Sequence, residues 1–420
     1  MKIAVLGDTL QATVMAALWA ETGHQVFWCR GLNAQDVAAF NLDPQLSALL
    51  TQQQSQGHVV QLDFSQLPSD VEVYFFALNP SKLAQALELA QQLRHQPIIH
   101  PKLMINGSTF GLHGTARLAQ LLDQDAWVYL PDMTQEGHPL ENVSRAKQVV
   151  IGVDETHEFA RAQIRELLRP FFPLQHQYLM MPILDAEFTK LSISGMLATR
   201  ISYMNDLALV AEKLKIDIEN VRLGLGADSR IGASYLHPGA GFGGENFSRD
   251  ILTLSETVAH TGVSSRLLQQ VWQINEQQKE ILFRKLWNYY CCDLSGKTVA
   301  IWGAAFKANS SSIINSPIHH LLQALWAQGV IVKLHDPQAL ASITMQYGQR
   351  SDLILCEDAY QAVEGADALC VLTAWKAFYS PDYARLKQLM VHPLILDGRN
   401  IYEPAYVKAQ GFAYQGVGRV

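Results

Sequence analysis

The chain has 420 residues, of which 49% are hydrophobic and 17% charged, and it carries a net charge of −7. That length allows two or three domains, and that composition describes a chain with a sizeable buried core and excludes a disordered one. The negative balance, with no Lys/Arg run longer than two residues, excludes nucleic acid and anionic membranes as expected partners.

Lys2–Leu6 reads as a short apolar strand, Gly7–Ala12 as a turn, Thr13–Thr22 as a helix and Gln25–Cys29 as a second strand. Asp8 and Gln11 interrupt the apolar run, so a strand-turn-helix explains this segment better than a secretory leader. The pattern is the opening βαβ of a dinucleotide-binding unit. Its glycine fingerprint is incomplete, with Gly7, Thr9 and Ala12 where GxGxxG needs three glycines. Alanine at the third place only packs helix on strand. The second glycine lets the backbone touch a pyrophosphate, so the β-branched Thr9 is expected to obstruct it. At the end of the second strand, where an NAD site carries an acid, stands Arg30. Arg30 either pairs with the 2′-phosphate of NADP or is a solvated residue beside a crevice that holds no dinucleotide.

Strands follow at Val59–Leu62 and Val71–Leu78, a helix from about Pro80 to His95, and strands at Pro97–Ile105 and Val149–Val153. Glu187–Lys215 is the clearest helical pattern, with Leu191, Met196, Leu197, Ile201, Met204, Leu207 and Val210 as an expected buried stripe. The stretch 238–251, PGAGFGGENFSRDI, packs four glycines into a loop that leads into a helix start and suits close approach of a polar ligand. A long amphipathic helix is expected from about Ser265 to Tyr289. The period then changes to a second strand-turn-helix-strand unit: Lys297–Trp302, Gly303–Asn309, Pro317–Gly329 and Ile331–His335. Gly365–Leu372 reads as a further buried strand. The five cysteines (Cys29, Cys291, Cys292, Cys356, Cys370) form no CxxC pair, which implies reduced thiols, no metal site and a cytoplasmic chain. No apolar run is long enough to span a bilayer.

Several stretches carry a resemblance. The glycine loop resembles the GFGGxCFPKD loop of the UDP-glucose/GDP-mannose dehydrogenase family. Lys190 with its flank resembles KLxxNxxLAxxI, and 217–232, DIENVRLGLGADSRIG, resembles DVxxVxxGIGxDxRIG. The segments GAAFKAN (303–309) and LILDGRNI (394–401) resemble the family's nucleotide-binding motifs, and NGSTFGLHGT (106–115) its STVPxGT turn with Thr109 kept. The resemblance spans nearly the whole chain. It implies an α/β fold of two Rossmann-like doubly wound domains joined by a central helical domain with a long helix. The implied boundaries are 1–182, 183–290 and 291–420.

It also implies a role in polysaccharide biosynthesis, a homodimer, NAD as cofactor and a nucleotide sugar (a UDP-sugar or GDP-mannose) as ligand. Arg230, Phe242, Gly243, Phe306, Lys307 and Arg399 would face that sugar nucleotide. Lys190, Asp250 and Asp132 would serve the chemistry, with Ser194 where the family has Asn and Asp132 where it has Glu. Asp132 equally suits a loop turn. The family oxidises a primary alcohol to a carboxylate in two hydride steps, and the second needs a thiolate that traps the aldehyde. That cysteine falls on Asn246, and the family's cofactor-side Arg falls on Ile314. The expectation is therefore a sugar-nucleotide binder whose four-electron oxidation is lost or crippled, a pseudoenzyme. The alternative is an active oxidoreductase with altered chemistry, stopping at the aldehyde or using NADP.

Overall fold

The computed structural model describes residues 1–30, 43–95, 102–122, 126–135 and 137–419. The chain divides into two compact units, Met1–Ile193 and Ser194–Val420. The expected strand Pro97–Ile105 falls partly outside the described residues; its described part is β5 below.

Among the described residues, the first unit holds eight strands: β1 (Lys2–Leu6), β2 (Gln25–Cys29), β3 (Val59–Gln61), β4 (Val73–Phe76), β5 (Leu103–Asn106), β6 (Ala126–Tyr129), β7 (Val149–Val153) and β8 (Tyr178–Met181). They form one sheet in the order β3-β2-β1-β4-β5-β6-β7-β8, the order reversing at β1. Every pairing is parallel except β6 with β7. Helix α1 (Leu10–Glu21) has every residue from Gln11 to Ala20 buried, which its Ala-, Met- and Leu-rich sequence permits. It starts earlier than the sequence suggests because Thr9 caps it: Thr9 Oγ1 accepts from Ala12 N. The rest of the unit's α-helices are α2 (Pro44–Ser55), α3 (Leu83–Arg94), α4 (Gly114–Ala119), α5 (Pro139–Ser144) and α6 (Glu158–Leu168).

Helix α7 (Ile183–Leu214) begins in the first unit and ends in the second. At 32 residues it is the long helix of the chain. The single helix expected over 265–289 is instead two, α10 (Leu267–Gln278) and α11 (Ile281–Tyr289), which follow α8 (Ile218–Ala227) and α9 (Glu245–His260). The break coincides with Lys279, 1% exposed, whose Nζ donates to Glu276 at 2.7 Å and to Asn315 Oδ1 at 2.6 Å. The stripe expected on α7 is buried only in part: Leu191 and Met204 are buried, whereas Met196 and Val210 are exposed. No helix among the described residues is long and apolar enough to cross a membrane.

The second unit also carries a six-stranded sheet: β9 (Thr298–Trp302), β10 (Ile331–His335), β11 (Leu353–Leu355), β12 (Ala368–Val371), β13 (Leu394–Asp397) and β14 (Ala413–Gly416). The order is β11-β10-β9-β12-β13-β14, all parallel, and it again reverses at the first strand in sequence. In such sheets the crevice beyond the strands' carboxyl ends, where the order reverses, is the place for a ligand. The fold is thus α/β with two Rossmann-like, essentially parallel sheets and a helical region between them in sequence.

Candidate functional site

In the second unit, the glycine loop is held by amide side chains. Asn275, fully buried, accepts from Phe242 N at 2.8 Å and donates to Phe242 O at 3.1 Å. Gln278 Nε2 donates to Gly239 O at 2.9 Å, and Asn205 Oδ1 accepts from Gly239 N at 2.9 Å. Glycine is required where the loop meets other backbone. A Cβ on Gly243 would lie 2.5 Å from Asn315 O, and Gly244 (φ +92°) donates to Ile314 O at 2.9 Å.

The loop after β9 comes to the same place. A Cβ on Gly244 would meet the Phe306 ring at 2.7 Å, and Lys307 Nζ lies 5.5 Å from that ring's centroid. Arg399, just past β13, donates to Leu372 O at 2.6 Å, Gly241 O at 3.1 Å and Phe306 O at 3.4 Å. Its fork joins both loops to the end of β12, and burial draws its pKa down to about 10. Phe242 is core: it packs edge-on to Phe247 and Trp272 with centroids 5.1 and 6.2 Å away. Phe242, Gly243, Phe306, Lys307 and Arg399 therefore form one constellation. Arg230 stands apart and exposed, with both ends of its guanidinium on Asp228 at 3.0 and 2.6 Å.

The loop delivers the chain into α9. Asn246 occupies the second position of that helix, exposed, with Asp250 one turn on and 2% exposed. Ser194 Oγ donates to Asp250 Oδ2 at 2.7 Å. A helix N-terminus is where a thiol becomes a thiolate most readily, and the residue at this place is an amide. No cysteine lies on the glycine loop or α9. Burial pushes Cys29 and Cys370 up to about 12 and raises Cys356, so these thiols are inert; Cys291 and Cys292 are exposed after α11. Among the described residues, no group of three or more His, Cys, Asp or Glu is arranged to hold a metal ion.

In the first unit, a Cβ on Gly7 would fall 2.1 Å from Ala77 O, so the turn after β1 admits only glycine. Thr9 does not need glycine's freedom, with φ −73°. Its Oγ1 is turned inward, donating to Ala77 O at 2.9 Å while it caps Ala12 N. The Thr9 hydroxyl is thus spent on the fold. Arg30 is half-buried rather than solvated: its guanidinium lies 4.9 Å from the Trp28 ring centroid. Lys190 lies on α7, one turn after Glu187, a buried residue the sequence analysis passed over. The Glu187 carboxylate accepts from His113 N at 2.7 Å, Thr115 N at 2.8 Å and the Thr115 hydroxyl at 2.7 Å. These bonds fix the turn that carries Thr109 against α7. Asp132 forms an Asx turn, accepting from Thr134 N at 3.0 Å.

The comparisons agree with this architecture. A model described as UDP-glucose/GDP-mannose dehydrogenase family, UDP binding domain, matches residues 300–404, and the central-domain model of the same family matches 184–277. A UDP-glucose 6-dehydrogenase of Pseudomonas aeruginosa is 33% identical, covering 100% of this chain and 98% of the relative. One from Rhizobium meliloti is 28% identical, with full coverage of both. A UDP-glucose dehydrogenase structure from Pyrobaculum islandicum superposes with a TM-score of 0.88 at 23% identity, covering 100% and 98% of the two chains. The fold and these matches define a nucleotide-sugar dehydrogenase class. The chain belongs to the UDP-glucose/GDP-mannose dehydrogenase family.

Proposed function

We propose that this protein binds a nucleotide sugar, of UDP type, in its second unit, and that it does not carry the sugar's C6 alcohol through to a carboxylate. The observation that carries this reading is Asn246 at the head of α9, in a loop whose supports are otherwise complete. Phe306, Lys307, Gly243 and the Arg399-braced backbone receive the nucleotide end, with Lys307 as the phosphate partner. Arg230, exposed and paired with Asp228, serves a second copy of the chain in a homodimer. Met196, Tyr203 and Val210, exposed at seven-residue spacing on α7, offer the apolar face for that copy.

At the reacting end, Asp250 is buried and oriented by Ser194, so it is placed to accept a proton from a bound alcohol. In the first unit, Lys190 is a cation on α7, and Asp132 keeps its loop in register. A nicotinamide dinucleotide, when bound, supplies the hydride acceptor. Gly7 lets its pyrophosphate approach the turn after β1, and Arg30 and Thr109 border its place. The amide of Asn246 is not a nucleophile at neutral pH, so an aldehyde cannot be trapped covalently and the second oxidation has no route through this chain. A second reading, an oxidoreductase that stops at the aldehyde, is favoured by the Ser194–Asp250 hydrogen bond.

Calorimetric titration with UDP-glucose, UDP-N-acetyl sugars and GDP-mannose tests the binding claim. Saturable heat with a UDP-sugar is expected; no heat with any of them removes the proposal.

A further inference from the structure

We propose that the crevice beyond the ends of β1 and β2 is specific for a 2′-phosphorylated adenine dinucleotide, NADP(H), with Arg30 as the residue that selects it. The assignment builds on the dinucleotide place described above for the first unit. Leu6 pairs with Cys29 across β1 and β2, so Arg30 is the first residue beyond the strand, level with Gly7. An acid at this position takes the ribose 2′-hydroxyl of NAD; a cation here would instead meet a 2′-phosphate.

Arg30 is built into the crevice. Its guanidinium lies over Trp28, and Trp28, 1% exposed, donates its Nε1 to Gly7 O at 2.8 Å. The indole thus ties the guanidinium's platform to the glycine that shapes the phosphate turn. The Arg30 Nε is buried and has no hydrogen-bond partner among the described residues. A planar cation at this place suits a charged acceptor with several oxygens, which is what a phosphate monoester is. The cavity here is lined by Leu6, Gly7, Asp8, Cys29, Arg30 and Leu78. Its one carboxylate, Asp8, is paired with Lys82 at 3.3 Å, which brings a second cation to the rim.

The test is a fluorescence titration of the wild-type protein and of Arg30→Gln and Arg30→Asp with NADPH and NADH, in the absence of nucleotide sugar. Competition by 2′,5′-ADP is measured alongside. Wild type is expected to bind NADPH roughly ten- to a hundredfold more tightly than NADH, the range one or two charge-assisted bonds supply. Arg30→Asp should reverse the order, and 2′,5′-ADP should displace NADPH from wild type. Thermal melting of Arg30→Gln confirms that the variant is folded. Equal affinity for the two dinucleotides, or tighter NADH, overturns the proposal. So does a failure to bind either, and if a UDP-sugar still binds, the second-unit reading survives that result. NADPH binding without UDP-sugar binding is the opposite outcome, in which the assignment of Arg30 stands and the sugar-nucleotide reading falls.

Discussion

Replacing Asn275 by alanine tests whether the glycine loop is held in place by the protein itself. The side chain is fully buried and makes two bonds to one residue, 2.8 Å from Phe242 N and 3.1 Å to Phe242 O. Truncation strands a buried donor and a buried acceptor, each at a cost of about 1–3 kcal/mol. Partial relaxation toward solvent brings the expected total to about 3 kcal/mol. Part of that cost reappears in binding, since the loop must be re-ordered around the ligand. If about half of it does, then at 1.4 kcal/mol per factor of ten UDP-sugar affinity should fall by roughly tenfold. Urea unfolding measures the first quantity and calorimetry the second, with the exposed Asn288→Ala as a control expected within about 0.5 kcal/mol of wild type. If Asn275→Ala matches that control in both assays, the loop is not braced as described.

Arg399→Lys keeps a charge but loses the fork that reaches three carbonyls, so it should cost about 1.5–3 kcal/mol in urea unfolding and weaken UDP-sugar binding. Thr9→Ala removes the cap of α1 and should destabilise the protein by about 1 kcal/mol, whereas Thr9→Gly should cost only a few tenths; thermal melts compare the two. His319 provides a pH dependence. Its Nε2 lies 2.7 Å from Ile313 O, which can only accept, so Nε2 carries the proton and Nδ1 accepts from the Tyr347 hydroxyl at 2.6 Å. Burial lowers its pKa below 6.5, so the folded state binds fewer protons than the unfolded one in that window. Its stabilising contribution is present above pH about 6.5 and is lost as the pH falls from there toward the depressed folded value. Urea midpoints of wild type and His319→Gln should therefore converge on acidification from pH 7 toward 5.

Much of this fold was legible because apolar runs end at residues with one physical meaning. β1, β2, β7 and β10 were read almost to the residue, and the glycine loop does lead into a helix. What was not legible depends on partners far away in sequence. Lys279 falls inside the single helix expected over 265–289, and its burial is made tolerable by Glu276 and Asn315. Nothing in the sequence announces that Ala77 O accepts from the Thr9 hydroxyl. Arg399 reads as a free ligand-binding cation, yet its donors go to backbone carbonyls that sequence patterns do not display. Glu187 was overlooked because its acceptor role is to two amides and a hydroxyl some seventy residues earlier. The edge strands β8 and β14 have no counterpart among the expected strands.

The sharpest single measurement is mass analysis of the sugar nucleotide after prolonged incubation of the purified protein with UDP-glucose and both oxidised dinucleotides. With an amide heading α9 and every thiol either buried or remote in sequence, the hexose should never gain a C6 carboxylate. Catalytic accumulation of UDP-glucuronate, beyond one equivalent of protein, would mean that another group does the work a thiolate was thought to require.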